Sequence, residues 1–96
     1  MKLQISPRAA RDLQEIALYI AQDNPQRAMS FIGELRERCL RVAESPLAYR
    51  SRRELGTNLR SCTYGRYVLF FECTDQAVTI VRVLHASRDL HQQFKA

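Results

Sequence analysis

The sequence predicts an α+β domain in which a helical hairpin covers an antiparallel sheet, in the order strand, helix, helix, strand, strand, strand. Two observations predict it. Apolar residues recur at helical spacing up to about residue 43, and from Leu59 onward they form strand-like runs bounded by turn residues. With 96 residues, the chain is expected to be a single domain over 1–96, because two halves of that length cannot each bury a core.

Leu3 and Ile5 alternate with Lys2 and Gln4, as in a short strand, and Ser6-Pro7 follows as a helix cap with proline in the first turn. A helix running to about Gln22 places Ala9, Leu13, Ile16, Ala17 and Ile20 on one face, with Arg8, Arg11, Asp12, Gln14 and Glu15 elsewhere. Asp23-Asn24-Pro25 repeats the stop and start signals. In the second helix Ala28, Phe31, Ile32, Leu35, Cys39 and Val42 share a face through to Ala43, and Ser45-Pro46 ends it. So short a connection makes the two helices an antiparallel hairpin. Residues 44–58 show no period and carry Pro46, Gly56 and Asn58, which reads as a surface loop. Leu59 to Tyr64 and Tyr67 to Cys73 then flank Gly65-Arg66, a pair suited to a type II′ hairpin. After a turn at Thr74-Asp75-Gln76 comes a last strand, Val78 to Leu84, whose nearly continuous apolar character implies cover on part of both faces. His85 to Ala96 is polar, a short terminal helix or a loose tail.

An apolar fraction of 46% and a charged fraction of 26% are those of an ordinary globular protein. No stretch of about 18 apolar residues exists to span a membrane, and charged residues precede the first hydrophobic stretch, which argues against a signal peptide. A cytoplasmic location is expected. Cys39, Cys62 and Cys73 are odd in number, widely spaced and without a Cys-x-x-Cys pair, so they are expected to be buried reduced thiols rather than disulfides or metal ligands. The net charge of +5 is concentrated: residues 50–66 hold five arginines against Glu54 alone. Arginine supplies 13 of the 15 positive charges, a composition suited to gripping carboxylate or phosphate, so an anionic partner is expected, either nucleic acid or an acidic protein segment.

No Walker loop, dinucleotide fingerprint, His-Glu-x-x-His helix or Gly-x-Ser-x-Gly elbow occurs. The two histidines, His85 and His91, have no Cys or paired carboxylate beside them in sequence. A structural hydrogen-bonding role for His85 ranks ahead of a partner contact and of catalysis. Arg60, Arg66, Arg82 and Arg88 lie on or at the ends of the predicted strands, where a sheet holds side chains in fixed geometry able to grip phosphates. The plainer alternative makes Arg82 a half-buried strand residue paired with Asp89 or Glu72, and Arg88 solvated. Tyr64 and Tyr67 are either ordinary strand residues or platforms for base stacking. Leu18 projects opposite the apolar face of the first helix, and Met29 and Leu40 project away from that of the second, with Arg36 between them.

The string Ile80-Val81-Arg82-Val83-Leu84-His85-Ala86-Ser87-Arg88-Asp89, the opening Ile5-Ser6-Pro7-Arg8-Ala9-Ala10-Arg11-Asp12-Leu13, the helix phrase Ile16-Ala17-Leu18-Tyr19-Ile20, Glu44-Ser45-Pro46 and Tyr67-Val68-Leu69-Phe70-Phe71 together resemble the RelE/ParE superfamily of bacterial type II toxins, and ParE most. The resemblance covers nearly the whole chain. It implies the RelE/ParE fold, a co-expressed ParD-like antitoxin that holds the chain inactive, and poisoning of DNA gyrase without catalysis, in a module associated with plasmid stabilisation. No cofactor or membrane is implied, and operator DNA is reached through the antitoxin complex rather than directly. RelE-like relatives instead cleave messenger RNA on the ribosome, using sheet arginines and a tyrosine or histidine pair near the C-terminus. No tyrosine follows Tyr67 here, so the gyrase reading leads; an inert or adaptor role on the same fold is the third. If the chain is a nuclease, Arg60, Arg82, His85 and Arg88 are its candidates. Target contact falls to Arg66, Arg82, His85 and Arg88. Antitoxin contact falls to Leu18, Met29, Arg36, Leu40, Arg50, Arg52, Arg53 and Arg60.

Overall fold

The computed structural model describes residues 1–88 and 90–94, with Leu90 and His91 described by their backbone alone. Strand β1 (Lys2–Ile5) leads into helices α1 (Pro7–Ala21) and α2 (Pro25–Glu44), followed by strands β2 (Arg50–Ser51), β3 (Leu59–Tyr64), β4 (Tyr67–Cys73) and β5 (Ala77–His85) and a short α3 (Leu90–Gln93). The five strands form one sheet in the order β1-β5-β4-β3-β2. Every neighbouring pair is antiparallel except β1 and β5, which run parallel from Lys2↔Ala77 to Ile5↔Ile80.

Both helix starts form where the capping chemistry places them. Ser6 Oγ accepts from the Ala9 amide at 3.0 Å and Asn24 Oδ1 from the Arg27 amide at 3.0 Å, each followed by proline at the first helical position. Ser6 also serves the sheet, since its amide donates to Ile80 O and its hydroxyl to Val81 O, so the cap prolongs the β1–β5 ladder.

The apolar faces of the helices and the inner face of the sheet enclose Ala9, Ile16, Phe31, Leu35, Cys39, Val42, Cys62, Leu69, Phe71, Val78, Ile80 and Val83. A smaller core of Leu59, Val68, Phe70 and Leu84 lies on the sheet's other face, closed by Leu55, Val81 and Phe94. Adjacent Phe70 and Phe71 point to opposite faces and are both fully buried, which accounts for the continuous apolar run. Each such side chain contributes roughly 1.5 to 3 kcal/mol through burial. Phe94, just beyond α3, meets Phe70 edge-on at 4.8 Å, so the polar C-terminal segment contains a short helix, Leu90–Gln93, whose end is docked on the sheet by an aromatic contact.

A cluster of charges and rings joins α2 to β3. Arg27 grips Glu34 with two bonds (2.7 and 3.3 Å), Tyr64 donates its phenol proton to Glu34, and the Arg38 guanidinium stacks 5.0 Å from the Tyr64 ring. Arg27 and the Tyr64 phenol together hold the Glu34 carboxyl below the usual carboxylate range.

Three expectations change. Residues 44–58 are not wholly loop: a 3₁₀ turn (Pro46–Ala48) buries Pro46, and β2 pairs with β3, a pairing extended where the Arg52 amide donates to Leu59 O at 2.7 Å. A two-residue edge strand is built from backbone bonds and leaves no periodicity to read. The sheet is mixed rather than antiparallel throughout, because β1 pairs with the last strand through a crossover that local patterning does not specify. Cys73 is half-buried, whereas Cys39 and Cys62 are buried as expected, and all three thiols are free. The hairpin turn keeps the predicted chemistry. Gly65 has φ +57°, and Arg66 is not among the residues of positive φ, as a type II′ turn requires.

Burial pushes the Cys39 thiol up to about 11, so at neutral pH it carries almost no thiolate, the reactive form. Native-state titration with a thiol reagent at pH 8 is expected to modify Cys73 first and leave Cys39 untouched until denaturant is added. Rapid labelling of Cys39 in the folded chain contradicts this packing.

Candidate functional site

The part of β5 beyond Ile80 has no strand on its outer edge, because β1 ends at Ile5. α1 fills this place, and Asp12 does so with its carboxylate. Asp12 is only 4% exposed; Oδ2 accepts the unpaired Val83 amide at 2.9 Å, and the two oxygens take Arg82 Nε at 2.8 Å and Nη2 at 3.2 Å. Arg8 adds a second cation 3.5 Å away. A buried carboxylate is tolerated only when its oxygens are satisfied, and these are. The ion pair thereby fixes the position of α1 against the end of β5.

What it positions is a cleft of about 430 Å³ between α1, the β3–β4 turn and the end of β5. Glu15 and Tyr19 line it from α1, Arg66 and Tyr67 from the turn, and His85, Ser87 and Arg88 from β5 and the residues after it. Two backbone bonds hold the rim together: the Ala86 amide donates to Arg66 O at 2.8 Å and the Arg88 amide to His85 O at 3.0 Å. The His85 ring meets Tyr67 edge-on at 5.3 Å, and its Nδ1 accepts from the Ser87 amide at 3.1 Å and lies 2.7 Å from Ser87 Oγ. An amide can only donate, so the proton of the neutral ring sits on Nε2. Burial pushes the Tyr67 phenol up. Arg66 and Arg88 are exposed and have no carboxylate within ion-pair distance among the described residues. Together these groups offer two cations, two phenols and an imidazole donor to an anionic ligand.

The structure brings His85, Arg66 and Arg88 together and separates the rest. Arg82 is consumed by Asp12 and also donates to Gln93 at 3.4 Å. Its pairing with Glu72 is not formed, since Glu72 lies opposite Leu59 and Thr79 further along the sheet, and Asp89 lies outside the described residues, as does the side chain of His91. Arg60 donates to Tyr49 O at 2.7 Å. Four residues along β3 from Tyr64, the register neighbour of Tyr67, it stands roughly 13 Å of strand from the His85 end. Tyr64 is engaged by Glu34 through its hydroxyl and by Arg38 over its ring. Leu18, Met29 and Leu40 are 63%, 79% and 51% exposed. Arg36, Arg50 and Arg53 are exposed too, whereas Arg52 is held by Glu54, Ser61 and the Phe70 ring.

Sequence reasoning missed Asp12, Tyr19, Glu15 and Ser87. Asp12 lies about 80° from the centre of the α1 apolar face at 100° per residue, just off its edge, so the helical pattern alone does not announce its burial. Tyr19 is 69% exposed on the flank beside that face, and no local pattern announces that β5 ends beside it. Among the described residues no group of three His, Cys, Asp or Glu side chains is placed to hold a metal, and no helix is long and apolar enough to cross a membrane.

The family described as the ParE toxin of the type II toxin-antitoxin system, parDE, matches residues 3–90. The chain belongs to the ParE toxin family. Among solved structures, the toxin is similar to one of a chromosomal ParDE toxin-antitoxin system from P. aeruginosa, with 19% identity and a TM-score of 0.76. It is also similar to one of the RelBE2 toxin-antitoxin complex from Mycobacterium tuberculosis, with 26% identity and a TM-score of 0.65. Each likeness covers 88% of the toxin and 95% of the other chain. No curated protein matches it. The toxin is therefore a member of the RelE/ParE superfamily in both sequence and fold.

Proposed function

We propose that this type II toxin is held by a cognate antitoxin and, once released, inhibits DNA gyrase by binding it through the Arg66–His85–Arg88 cleft rather than by catalysis. One observation carries the choice. Cleavage through a 2′-hydroxyl needs a group to take its proton and another to protonate the leaving oxygen. His85 keeps its proton on Nε2 because Nδ1 receives the Ser87 amide, so the ring is arranged to donate and not to accept. The phenol of Tyr67, pushed up by burial, is a poor base. Arg82, the best-placed sheet arginine, is neutralised by Asp12. Membership of the ParE family supports the same target. Adding the purified toxin to a gyrase supercoiling assay, with and without its antitoxin, tests the reading: inhibition that the antitoxin relieves supports it, and unimpaired supercoiling refutes it.

The ribonuclease reading is favoured by one feature, the arrival of Glu15 and Tyr19 in the same cleft as His85 and two arginines. Glu15 is the base that this reading requires, and ribosome-dependent fragments of messenger RNA are its signature.

The antitoxin surface follows from side chains that the core leaves outside. Leu18, Met29 and Leu40 supply apolar anchors, while Arg36, Arg50 and Arg53 supply charge for an acidic amphipathic segment. Arg52 and Arg60, bound within the fold, contribute less. Truncating a single anchor to alanine is expected to cost about 1 to 3 kcal/mol of binding. Calorimetric titration of Leu18→Ala, Met29→Ala and Leu40→Ala variants checks this, and three affinities equal to the parent's rule the surface out.

A further inference from the structure

Gly33 sits in the middle of α2, a helix of 20 residues, and nothing among the described residues requires a glycine there. Its φ is not positive, and a Cβ built on it meets no atom within 4 Å. The residue is exposed. Glycine is among the least favourable residues in a helix interior, so at this position it weakens α2 without any gain to the folded monomer. The gain has to lie outside the chain.

The neighbours of Gly33 on the helix surface indicate what that is. Met29, Gly33, Arg36 and Leu40 follow the spacing i, i+4, i+7, i+11 and form one stripe on the face turned away from the core residues Phe31, Leu35, Cys39 and Val42. Met29 and Leu40 are mostly exposed, one turn to either side of the Gly33–Arg36 pair, and Arg36 has no carboxylate partner within ion-pair distance among the described residues. A stripe with apolar ends, a gap at its centre and a cation beside the gap is complementary to a crossing helix that is apolar along its contact face and carries a carboxylate near the crossing. Helices ordinarily pack about 8 to 10 Å apart. Over a glycine the partner backbone comes closer.

We infer that Gly33 is the crossing point at which an acidic amphipathic helix of the antitoxin lies across α2, its backbone or a small side chain seated on the glycine and a carboxylate paired with Arg36. The net charge of +5 and the free Arg36 favour this occupant over a second copy of the chain, which brings the same positive excess to the contact. The inference rests on the reading that an antitoxin holds the toxin, and it adds the place and geometry of the contact.

The test reads two quantities that move in opposite directions. In Gly33→Ala, the melting temperature of the isolated toxin is expected to rise by about 4 to 8 °C, while affinity for the antitoxin encoded with it falls at least about tenfold. Gly33→Leu is expected to weaken binding at least about a hundredfold. Arg36→Ala is expected to weaken it by a lesser factor that shrinks as salt is raised. If both Gly33 variants bind like the parent while the parent binds tightly, the crossing is refuted and the antitoxin reading stands. If the melting temperature falls in Gly33→Ala, the glycine serves the fold and the inference is overturned. If the parent itself does not bind, both readings fall together.

Discussion

Asp12→Ala is expected to destabilise the toxin by about 3 to 5 kcal/mol, the usual cost of removing one member of a buried ion pair. Three groups lose their acceptor at once: the Arg82 Nε and Nη2 groups and the Val83 amide. Arg82 is only 12% exposed at its side chain, so water does not easily replace the carboxylate. For a domain of this size the loss corresponds to at least about 12 °C in melting temperature, a large part of the stability that such a chain possesses. Asp12→Asn keeps an acceptor for the Val83 amide and loses the charge, so it is expected to fall between the parent and Asp12→Ala. The pair is shielded from solvent, and its contribution is expected to persist at high salt, unlike that of the exposed Arg27–Glu34 bridge. Thermal melts of the three proteins at low and high salt check the ordering. A melting temperature for Asp12→Ala within 2 or 3 °C of the parent's, as a rough margin, contradicts the role given to Asp12.

Reversing the charge of Arg66 and Arg88 together is expected to remove the toxin's effect on its target while leaving its melting temperature nearly unchanged. Neither guanidinium is buried, and neither makes an ion pair among the described residues, so the fold loses nothing when they change. The cleft, by contrast, loses both of its free cations and keeps Glu15. Contacts between desolvated charges carry about 2 kcal/mol or more each, roughly thirtyfold apiece in affinity. The Arg66→Glu, Arg88→Glu variant is therefore expected to need at least about a hundred times more protein for the same inhibition of supercoiling. Antitoxin affinity is expected to change far less, since its proposed anchors are on the helical hairpin. Full inhibition by the double variant would falsify the placement of the target contact in this cleft.

The parts of this architecture that could be read in advance are those written locally in the chain. Ser6-Pro7 and Asn24-Pro25 announce helix starts through groups that act within three residues, and Gly65 announces a turn through its own φ. The paired phenylalanines at 70 and 71 announce a strand covered on both faces, since no one-sided sheet buries both. What was not legible depends on contacts distant in sequence. Asp12 reads as one polar residue among several on a helix until β5 arrives with an unpaired amide 71 residues later. β2 is two residues long and its pairing is all backbone. The candidate site divides in the same way: His85 and Arg88 stand together because a four-residue turn holds them, whereas Arg60 and Arg82, equally promising as sheet arginines, are drawn off by Tyr49 and Asp12.

The central claim, that the toxin acts by occupying a target and not by turnover, is tested most directly by one comparison of His85→Ala with the parent. Both are titrated into a gyrase supercoiling reaction and, in parallel, into a translating ribosome with labelled messenger RNA. The account predicts that inhibition of supercoiling rises with the ratio of toxin to gyrase, that it persists in His85→Ala with only a modest loss of potency, and that no specific messenger RNA fragments form with either protein. Messenger RNA cleaved at toxin concentrations far below those of the ribosome, with cleavage lost in a folded His85→Ala that still binds antitoxin, contradicts it.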